Sequence, residues 1–345
     1  MALYNRVNKK ELKLKLRVEE FKRITLSFYR YVIIENPEEL RNQLFEKWAS
    51  LNVFGRIYLA NEGINAQLSV PEENWKVFQE QLFAYEEFEN MPFKIAIEDD
   101  GKSFYKLAVK VRHKIVADGL DDNAFDVTNV GNHLTAKQFN DALEDPNSIV
   151  VDMRNHYESE IGRFEKAICP DVDTFREELP VVLDLLKDKK ENKLLLYCTG
   201  GIRCEKASAF FKHHGFNDVN QLHGGIIEYA RQVKHQGLDS KFKGKNFVFD
   251  ERLGERISDE IISFCHQCNE PCDTHTNCEN DDCHLLFIQC EKCKKQMQGC
   301  CTAACIGIAA LPDSEQRKIR KGRKKEDCLA VYKSRLRPSI KNTNT

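Results

Sequence analysis

The segment CTGGIRC, residues 198–204, contains the residue types that make a reactive cysteine. A short apolar run precedes it, and the helical pattern EKASAFFKHHG, closed by Gly215, follows it. A cysteine at such a strand-to-helix turn faces backbone N–H groups and the positive end of the helix dipole. Arg203 adds a full positive charge. Both effects favour the thiolate, the nucleophilic form of cysteine. We therefore predict that Cys198 is ionised, exposed and catalytic, with Arg203 as its electrostatic partner.

The size of this loop narrows its chemistry. Four residues separate Cys198 from Arg203, one fewer than in tyrosine-phosphatase loops, whose longer ring of amides wraps a phosphate. A shorter ring of backbone amides suits a single sulfur atom, held as a persulfide on Cys198. The alternative interpretation is that Cys198 is a structural cysteine at a helix start. Cys204 is either a resolving thiol or a small packed residue. The flanking segments 149–170 and 221–230 resemble rhodanese segments; they contain His156 and His223, which are either near the loop or ordinary core or surface groups.

A second group of cysteines lies near the carboxyl end of the chain. Ten of the fourteen cysteines fall between residues 265 and 305. Two C-x2-C pairs, Cys265/Cys268 and Cys290/Cys293, predict a structural zinc site with four thiolate ligands. Redox-active cysteines, a cluster other than zinc and free thiols are the alternatives. A second site could draw on six further cysteines and two histidines, without a clear choice among them: Cys272, Cys278, Cys283, Cys300, Cys301, Cys305, His275 and His284.

Length and composition limit the class of protein. A chain of 345 residues predicts two or three domains. Its net charge is −2, its amino-terminal segment is charged rather than apolar, and no uncharged apolar run is long enough to span a bilayer. We therefore expect a cytoplasmic protein without a membrane partner, in a reducing compartment where clustered cysteines bind metal more often than they form disulfides. The sequence carries no flavin or nicotinamide fingerprint.

The pattern of strands and helices predicts a multidomain α/β protein. Residues 20–118 read as a ferredoxin-like α+β domain, with Asn36 and Pro37 starting a helix and a turn at Asn61-Glu62-Gly63. A linker at 119–132 follows. Alternating strands and helices over 133–237 predict an α/β domain with a parallel sheet. The resemblance of its segments to rhodanese segments implies that this domain is rhodanese-like. A small cysteine-rich module at 244–312 and a basic, partly disordered tail at 313–345 complete the chain.

Two basic segments are candidates for contact with nucleic acid. The strand predicted from Tyr105 to Val116 places four cations on one face, although a solvated surface explains them equally well: Lys106, Lys110, Arg112 and Lys114. The tail carries seven basic residues between Arg317 and Lys325. Such blocks are usually solvated or disordered, and they also serve as arms that bind nucleic acid. RNA is therefore a predicted partner.

Several long motifs together resemble the bacterial oxygen-dependent tRNA uridine-34 hydroxylases, which contain an acylphosphatase-like and a rhodanese domain. They are GRIYLANEGINAQ, VDMRNHYESEIGRFEKA, YCTGGIRCEKASAFFK, GKNFVFDERLGERISDE and the cysteine-rich segment. The resemblance covers residues 20 to 312. Asn269 and Lys166 stand where glycine is common in related patterns.

This resemblance implies C5 hydroxylation of the wobble uridine in the tRNA anticodon loop, with molecular oxygen as co-substrate. Its reactive cysteine matches Cys198, its loop arginine matches Arg203, and Cys204 matches a further motif cysteine. One hypothesis is that Cys198 attacks C6 of the uracil; a persulfide on Cys198 is the other. The alternative functions are a sulfurtransferase that moves this sulfur to a small molecule or to tRNA, and an RNA-binding or metal-buffering protein. Electron source, protein partners and metal number are not predicted.

Overall fold

The computed structural model describes residues 7, 9–121 and 125–322, and the tail beyond residue 322 lies outside them. Its helices are α1 Lys9–Arg17, α2 Pro37–Ser50, α3 Trp75–Phe83, α4 Ala136–Leu143, α5 His156–Ile161, α6 Phe175–Leu185, α7 Ile202–His213, α8 Gly225–Gln236, α9 Glu291–Gln296, α10 Ala303–Ala309 and α11 Asp313–Gly322. Its strands are β1 Arg23–Tyr31, β2 Phe54–Ala60, β3 Gly63–Pro71, β4 Lys94–Ile95, β5 Leu107–Val111, β6 Asn132–Leu134, β7 Ser148–Asp152, β8 Gly162–Phe164, β9 Lys193–Tyr197, β10 Asp218–Leu222, β11 Phe242–Asn246, β12 Glu255–Arg256, β13 His275–Asn277 and β14 Leu286–Ile288.

The chain divides into two compact units. Among the described residues, the first unit consists of those in 7–148, Lys189–Leu238 and Phe249–Arg252, and the second of Ile149–Asp188, Asp239–Val248 and 253–322. None of the helices in the described part of the chain is both long and apolar enough to cross a membrane.

The amino-terminal sheet of the first unit has the strand order β4-β1-β3-β2-β5. The first four strands, with α2 and α3 between them, form the βαββαβ arrangement that the sequence predicts. The short strand β4 closes this arrangement, and β5 is an additional strand that pairs in parallel with β2. The core of this sheet buries Trp48, Phe28 and Phe78. Asn36 caps α2 and Pro37 is its first residue, so the predicted helix start is confirmed.

A second sheet of the first unit holds the predicted reactive loop. Strand β10 pairs in parallel with both β6 and β9, which gives the order β6-β10-β9. Thr135 caps α4 through a capping box. Helix α7 follows β9 after four loop residues, and Gly215 lies just beyond its end with φ of +84°. The predicted strand, turn and helix around Cys198 are therefore confirmed.

The second unit contains β7, a three-stranded antiparallel sheet and the cysteine-rich region. The sheet has the order β12-β11-β8, and a hairpin pairs β13 with β14. Arg154 and Asp152 form a fully buried ion pair at 2.6 Å, and Arg154 also donates to the carbonyl of Gly162. The first residues of the predicted tail form α11.

The basic strand is shorter than the sequence predicts. It ends at Val111 rather than Val116, so the expected alternation of faces stops there. Lys106, Lys110 and Arg112 are exposed, whereas Lys114 binds the carboxylate of Asp118 and the carbonyl of Leu120. Lys114 therefore holds the segment that follows the strand in place, and it is not part of an exposed cationic face.

Candidate active site and cysteine clusters

Cys198 directly follows β9, and the loop after it bends back over the sulfur. The backbone N–H of Gly201 donates to Sγ of Cys198 at 3.1 Å, and the N–H groups of Arg203 and Cys204 also donate to it. Gly201 caps α7 with φ of +96°, a left-handed conformation that glycine adopts without strain. The first turn of the helix is thereby directed at the sulfur, as expected for an anion at a helix N-terminus.

The electrostatics of this loop favour a thiolate. Burial raises the pKa of the Cys198 thiol, but a hydrogen bond from the Cys204 thiol, the positive charge of Arg203 and the backbone N–H donors outweigh it. Together they bring the pKa to about 6. Arg203 lies in the first turn of α7, donates to Oγ1 of Thr199 at 3.4 Å and stands 6.0 Å from the ring centroid of Phe249. Cys198 is therefore suited to nucleophilic chemistry near neutral pH.

The sulfur is not exposed, contrary to the sequence-based expectation. Cys198 is 0% exposed, and Arg203 is 9% exposed. The apolar strand β9 is itself buried, and the loop folds back onto the end of that strand, so the residue that follows it is enclosed as well. A substrate therefore reaches the sulfur only when groups that cover it move aside.

The amino-terminal sheet contributes two side chains beside this loop that sequence reasoning missed. A Cβ atom at Gly201 would lie 2.8 Å from the hydroxyl oxygen of Tyr29, and one at Gly200 would lie 3.8 Å from Cδ of Lys94. The ammonium of Lys94 sits 4.3 Å from the Tyr29 ring centroid. Burial lowers the pKa of Lys94 to about 8, although the negative charges of Cys198, Glu205 and Glu228 oppose this shift. Lys94 thus provides a second cation whose charge interacts with that of the thiolate.

Glu205, one residue after Cys204, organises a polar network at the start of α7. Its carboxylate accepts from Tyr29 Oη at 3.1 Å and from Gln221 Nε2 at 2.9 Å, and it lies 3.0 Å from His133 Nε2. The bond to Glu205 raises the pKa of His133. The ring of His223 stands 5.8 Å from that of His133, which places His223 beside this network. His156 belongs to the second unit and pairs with Asp173 at 3.1 Å.

The loop is also held in shape by the start of α8. The N–H groups of Ile226 and Ile227 donate to the carbonyls of Cys198 and Thr199 at 3.0 and 3.2 Å. Gly225 has φ of +68°, and a Cβ atom there would lie 2.6 Å from both of those carbonyl oxygens. Only glycine allows this close approach of the two backbones.

The four cysteines predicted to bind zinc lie together. The sulfur atoms of these four residues all lie within 4.8 Å of one another: Cys265, Cys268, Cys290 and Cys293. Sγ of Cys268 is 3.6 Å from Sγ of Cys290. The backbone N–H of Cys290 donates to Cys265 Sγ at 3.4 Å, so main-chain donors support the sulfurs. Asn269, which follows the first pair, has φ of +66°, and Lys166 has φ of +61°. Both are left-handed conformations, which glycine adopts more readily than asparagine or lysine.

A second set of four cysteines comes together in the same unit. The sulfurs of Cys278, Cys283, Cys301 and Cys305 lie within 4.8 Å of one another, with 3.6 Å between Cys283 and Cys301 and 3.7 Å between Cys301 and Cys305. The structure thus brings together four of the eight residues that the sequence offers as candidate ligands of a second metal site. The other four members of that group lie outside the set: Cys272, Cys300, His275 and His284. None of the thirteen described cysteines is joined in a disulfide.

Three protein-family models match successive parts of the chain. UPF0176 acylphosphatase like domain matches residues 23–115, Rhodanese-like domain matches residues 135–232, and Rhodanase C-terminal matches residues 243–306. They agree with the predicted fold class, which is confirmed: an acylphosphatase-like domain, a rhodanese-like domain with a parallel sheet and a cysteine-rich carboxyl-terminal region.

The chain is also similar to proteins named tRNA uridine(34) hydroxylase along most of its length. It is 60% identical to the tRNA uridine(34) hydroxylase of Leptospira interrogans, with 98% of this chain and 92% of that protein covered. It is 53% identical to the tRNA uridine(34) hydroxylase of Escherichia fergusonii, with 93% and 92% covered. Among solved structures, a rhodanese-like domain from Anabaena sp. matches with 19% identity and a TM-score of 0.26, covering 32% of this chain and 78% of that one.

Proposed function

The chain belongs to the tRNA uridine(34) hydroxylase family, and from this membership we propose that it hydroxylates C5 of uridine 34 in the tRNA anticodon loop with molecular oxygen. The observation that carries the proposal is the thiolate of Cys198, held by helix N–H donors and Arg203. A thiolate adds to C6 of a uracil ring as a soft nucleophile. This addition makes C5 of the uracil electron-rich, and C5 is the carbon that must react with oxygen.

Arg203 and Lys94 both stabilise negative charge in the proposed reaction. Each carries a positive charge that interacts with the Cys198 thiolate, so each stabilises it before attack. The same charges stabilise the negative charge that develops on the base once the sulfur–carbon bond forms. Because Cys198 is buried, the uracil must leave its stack and displace the groups over the sulfur. A wobble base in a loop can be presented in this way.

The basic surface of the chain supports RNA as substrate. Lys106, Lys110 and Arg112 are exposed at or next to β5, an edge strand of its sheet. On α11, Arg317, Lys318 and Lys321 are exposed. We assign both groups to contacts with the phosphate backbone, which positions an RNA without reading its sequence.

The two cysteine sets are assigned to structural zinc. Zinc–sulfur bonds of about 2.3 Å in a tetrahedron place the sulfurs about 3.8 Å apart. The sulfur separations of 3.6 and 3.7 Å fit this geometry. Four thiolates fill a zinc coordination shell and leave no open position, so the metals would hold the carboxyl-terminal region together rather than take part in the reaction.

The proposal is tested with purified protein, oxygen, a thiol reductant and unmodified tRNA, followed by mass spectrometry of the nucleosides. We expect 5-hydroxyuridine with the natural chain and none with Cys198→Ser. Cys169→Ser, at a half-buried cysteine of the second unit, is the matched control and should retain activity. Thiolated uridine in place of 5-hydroxyuridine would identify a sulfurtransferase, and full hydroxylation by Cys198→Ser would exclude the covalent mechanism.

A further inference from the structure

A second buried thiol lies against the reactive cysteine. Cys204 is in the first turn of α7 and, like Cys198, is 0% exposed. Its thiol donates a hydrogen bond to the Cys198 sulfur, so the two sulfur atoms are direct neighbours. The helix start fixes this contact, because the N–H of Cys204 binds the carbonyl of Gly201 at 3.0 Å. The two thiols therefore lie within hydrogen-bonding reach of each other at the start of one helix.

The proposed reaction requires two electrons from outside the substrates. One atom of molecular oxygen enters the uracil and the other leaves as water, and uridine itself does not supply the electrons for that water. A pair of neighbouring thiols supplies two electrons and two protons when it becomes a disulfide. The reactive loop thus holds the amount of reductant that one turnover consumes.

We propose that the Cys198–Cys204 dithiol is the electron donor for hydroxylation, with Cys204 as a second catalytic residue; this inference rests on the proposed function. The Cys198 thiolate adds to C6, and the electron pair of the C5–C6 double bond moves to C5. This carbanion reduces molecular oxygen and, with one proton, becomes a C5 hydroperoxide. The sulfur of Cys204 then attacks the terminal oxygen and breaks the O–O bond. The hydroxyl stays on C5, and Cys204 becomes a sulfenic acid.

The remaining steps restore the base and close the electron balance. Loss of the C5 proton expels the Cys198 thiolate from C6 and re-forms the C5–C6 double bond of 5-hydroxyuridine. Cys198 then attacks the sulfenic sulfur of Cys204, which forms a disulfide and, with a proton, releases water. In sum, uridine, oxygen and the dithiol give 5-hydroxyuridine, water and the disulfide. A small thiol or a protein dithiol then reduces the disulfide by exchange.

The surroundings of the two thiols support this division of roles. Burial, the hydrogen bond to Cys198 and the negative charges of Cys198 and Glu205 raise the pKa of Cys204 well above that of a free thiol, while the charge of Arg203 opposes this. Once Cys198 is bonded to carbon, its charge is gone, so two of the four effects that keep Cys204 protonated weaken or disappear. Cys204 therefore becomes a better nucleophile after the base is attached.

The test is a single turnover without added thiol. The protein is reduced, freed of reductant and mixed with oxygen and tRNA, and both products are measured. We expect about one 5-hydroxyuridine per chain, together with an equal amount of a disulfide between Cys198 and Cys204. Trypsin cleaves after Arg203, so the disulfide appears as a linked pair of peptides, LLLYCTGGIR and CEK. Omission of tRNA should leave the two peptides separate.

Variants separate this inference from the proposed function. Cys204→Ser should form no product without thiol, whereas Cys169→Ser should match the natural chain. Product formed by the natural chain while Cys198 and Cys204 both remain open to alkylation would overturn the inference and leave the proposed function intact. Equal single-turnover yields from Cys204→Ser and the natural chain would overturn it too. No 5-hydroxyuridine from the natural chain, even with thiol present, would instead overturn the proposed function.

Discussion

The ammonium of Lys94 lies 4.3 Å from the ring centroid of Tyr29, and its side chain passes Gly200 and Gly224 of the reactive region. The residue comes from β4, more than one hundred positions before Cys198 in the sequence. The amino-terminal sheet thus places a positive charge that interacts with the thiolate of Cys198.

Removal of this charge should weaken the nucleophile. In Lys94→Met, the Cys198 thiolate loses a favourable interaction, so we expect its pKa to rise and the hydroxylation rate at neutral pH to fall. The measurement is the rate of iodoacetamide labelling of Cys198 against pH. Lys76→Met, at an exposed lysine of the same unit, is the control. An unshifted labelling profile for Lys94→Met would show that the Lys94 charge does not reach the sulfur.

The pH dependence of the natural chain follows from Cys198 and Arg203. Labelling of Cys198 should rise with pH through about 6, because the thiolate is the reacting form. Arg203→Met removes the positive charge beside it and should move this midpoint upward, while Arg203→Lys should restore part of the shift. Labelling that rises only near the pH of an ordinary cysteine would contradict the thiolate assignment. Mass spectrometry of the Cys198 peptide separates its labelling from that of other cysteines.

Lys206 of α7 should contribute strongly to stability. It is 2% exposed, and its ammonium binds the carboxylates of Asp118 at 2.6 Å and Glu62 at 2.7 Å. Lys206→Met leaves these carboxylates without that partner, and we expect a loss of about 3 kcal/mol in the free energy of unfolding. Urea unfolding provides the measurement. Lys137→Met removes an exposed ion pair with Asp141 and should cost less than about 0.5 kcal/mol; equal losses would argue against a special role for Lys206.

Metal analysis should find two zinc ions in the natural chain, one for each cysteine set. Cys268→Ser and Cys283→Ser each remove one ligand from a different set, so each should lower the zinc content by one ion. Elemental analysis and a colorimetric zinc assay after thiol modification measure this directly. Chelator should destabilise the carboxyl-terminal region, because thiolates brought together without metal repel one another. Full zinc content in either variant would remove that set from the assignment.

Binding to tRNA should depend on the basic residues at β5. Lys110→Glu combined with Arg112→Glu replaces two exposed positive charges, proposed to contact phosphates, by negative ones, so we expect weaker binding and a shallower dependence of affinity on salt. Filter binding at several salt concentrations measures both. Lys76→Glu changes the charge of another surface of the same unit by the same sign and serves as control. Equal weakening by both proteins would indicate a general charge effect rather than a binding face.

The local part of the site could be predicted from the sequence, because strand, turn and helix signals are contiguous there. The apolar run before Cys198, the glycines after it and Gly215 at the helix end together specify a cysteine at a helix start. The spacing of the C-x2-C pairs likewise indicates the first cysteine set. The roles of Cys198, Arg203 and these cysteines, as well as the predicted domain boundaries, stay predictions.

Long-range features could not be predicted in this way. Nothing in the strand ITLSFYRYVII marks Tyr29 as a partner of Glu205, because the contact joins residues 176 positions apart. The burial of Cys198 was also missed, since the pattern shows which donors face the sulfur and not what covers it. The second cysteine set required the fold as well: its members have irregular spacing, and equally plausible cysteines stand between them.

Gly225, at the start of α8, helps to shape the loop around the Cys198 sulfur although it lies well after that loop in the sequence. Its backbone lies so close to the carbonyls of Cys198 and Thr199 that even a single methyl group would push the two segments apart. Alanine at this position would leave every residue of CTGGIRC unchanged and still displace the amides that surround the sulfur. In a comparison of family members, the pair of glycines at the start of α8 therefore belongs with the loop as one structural motif, although nineteen residues separate the two.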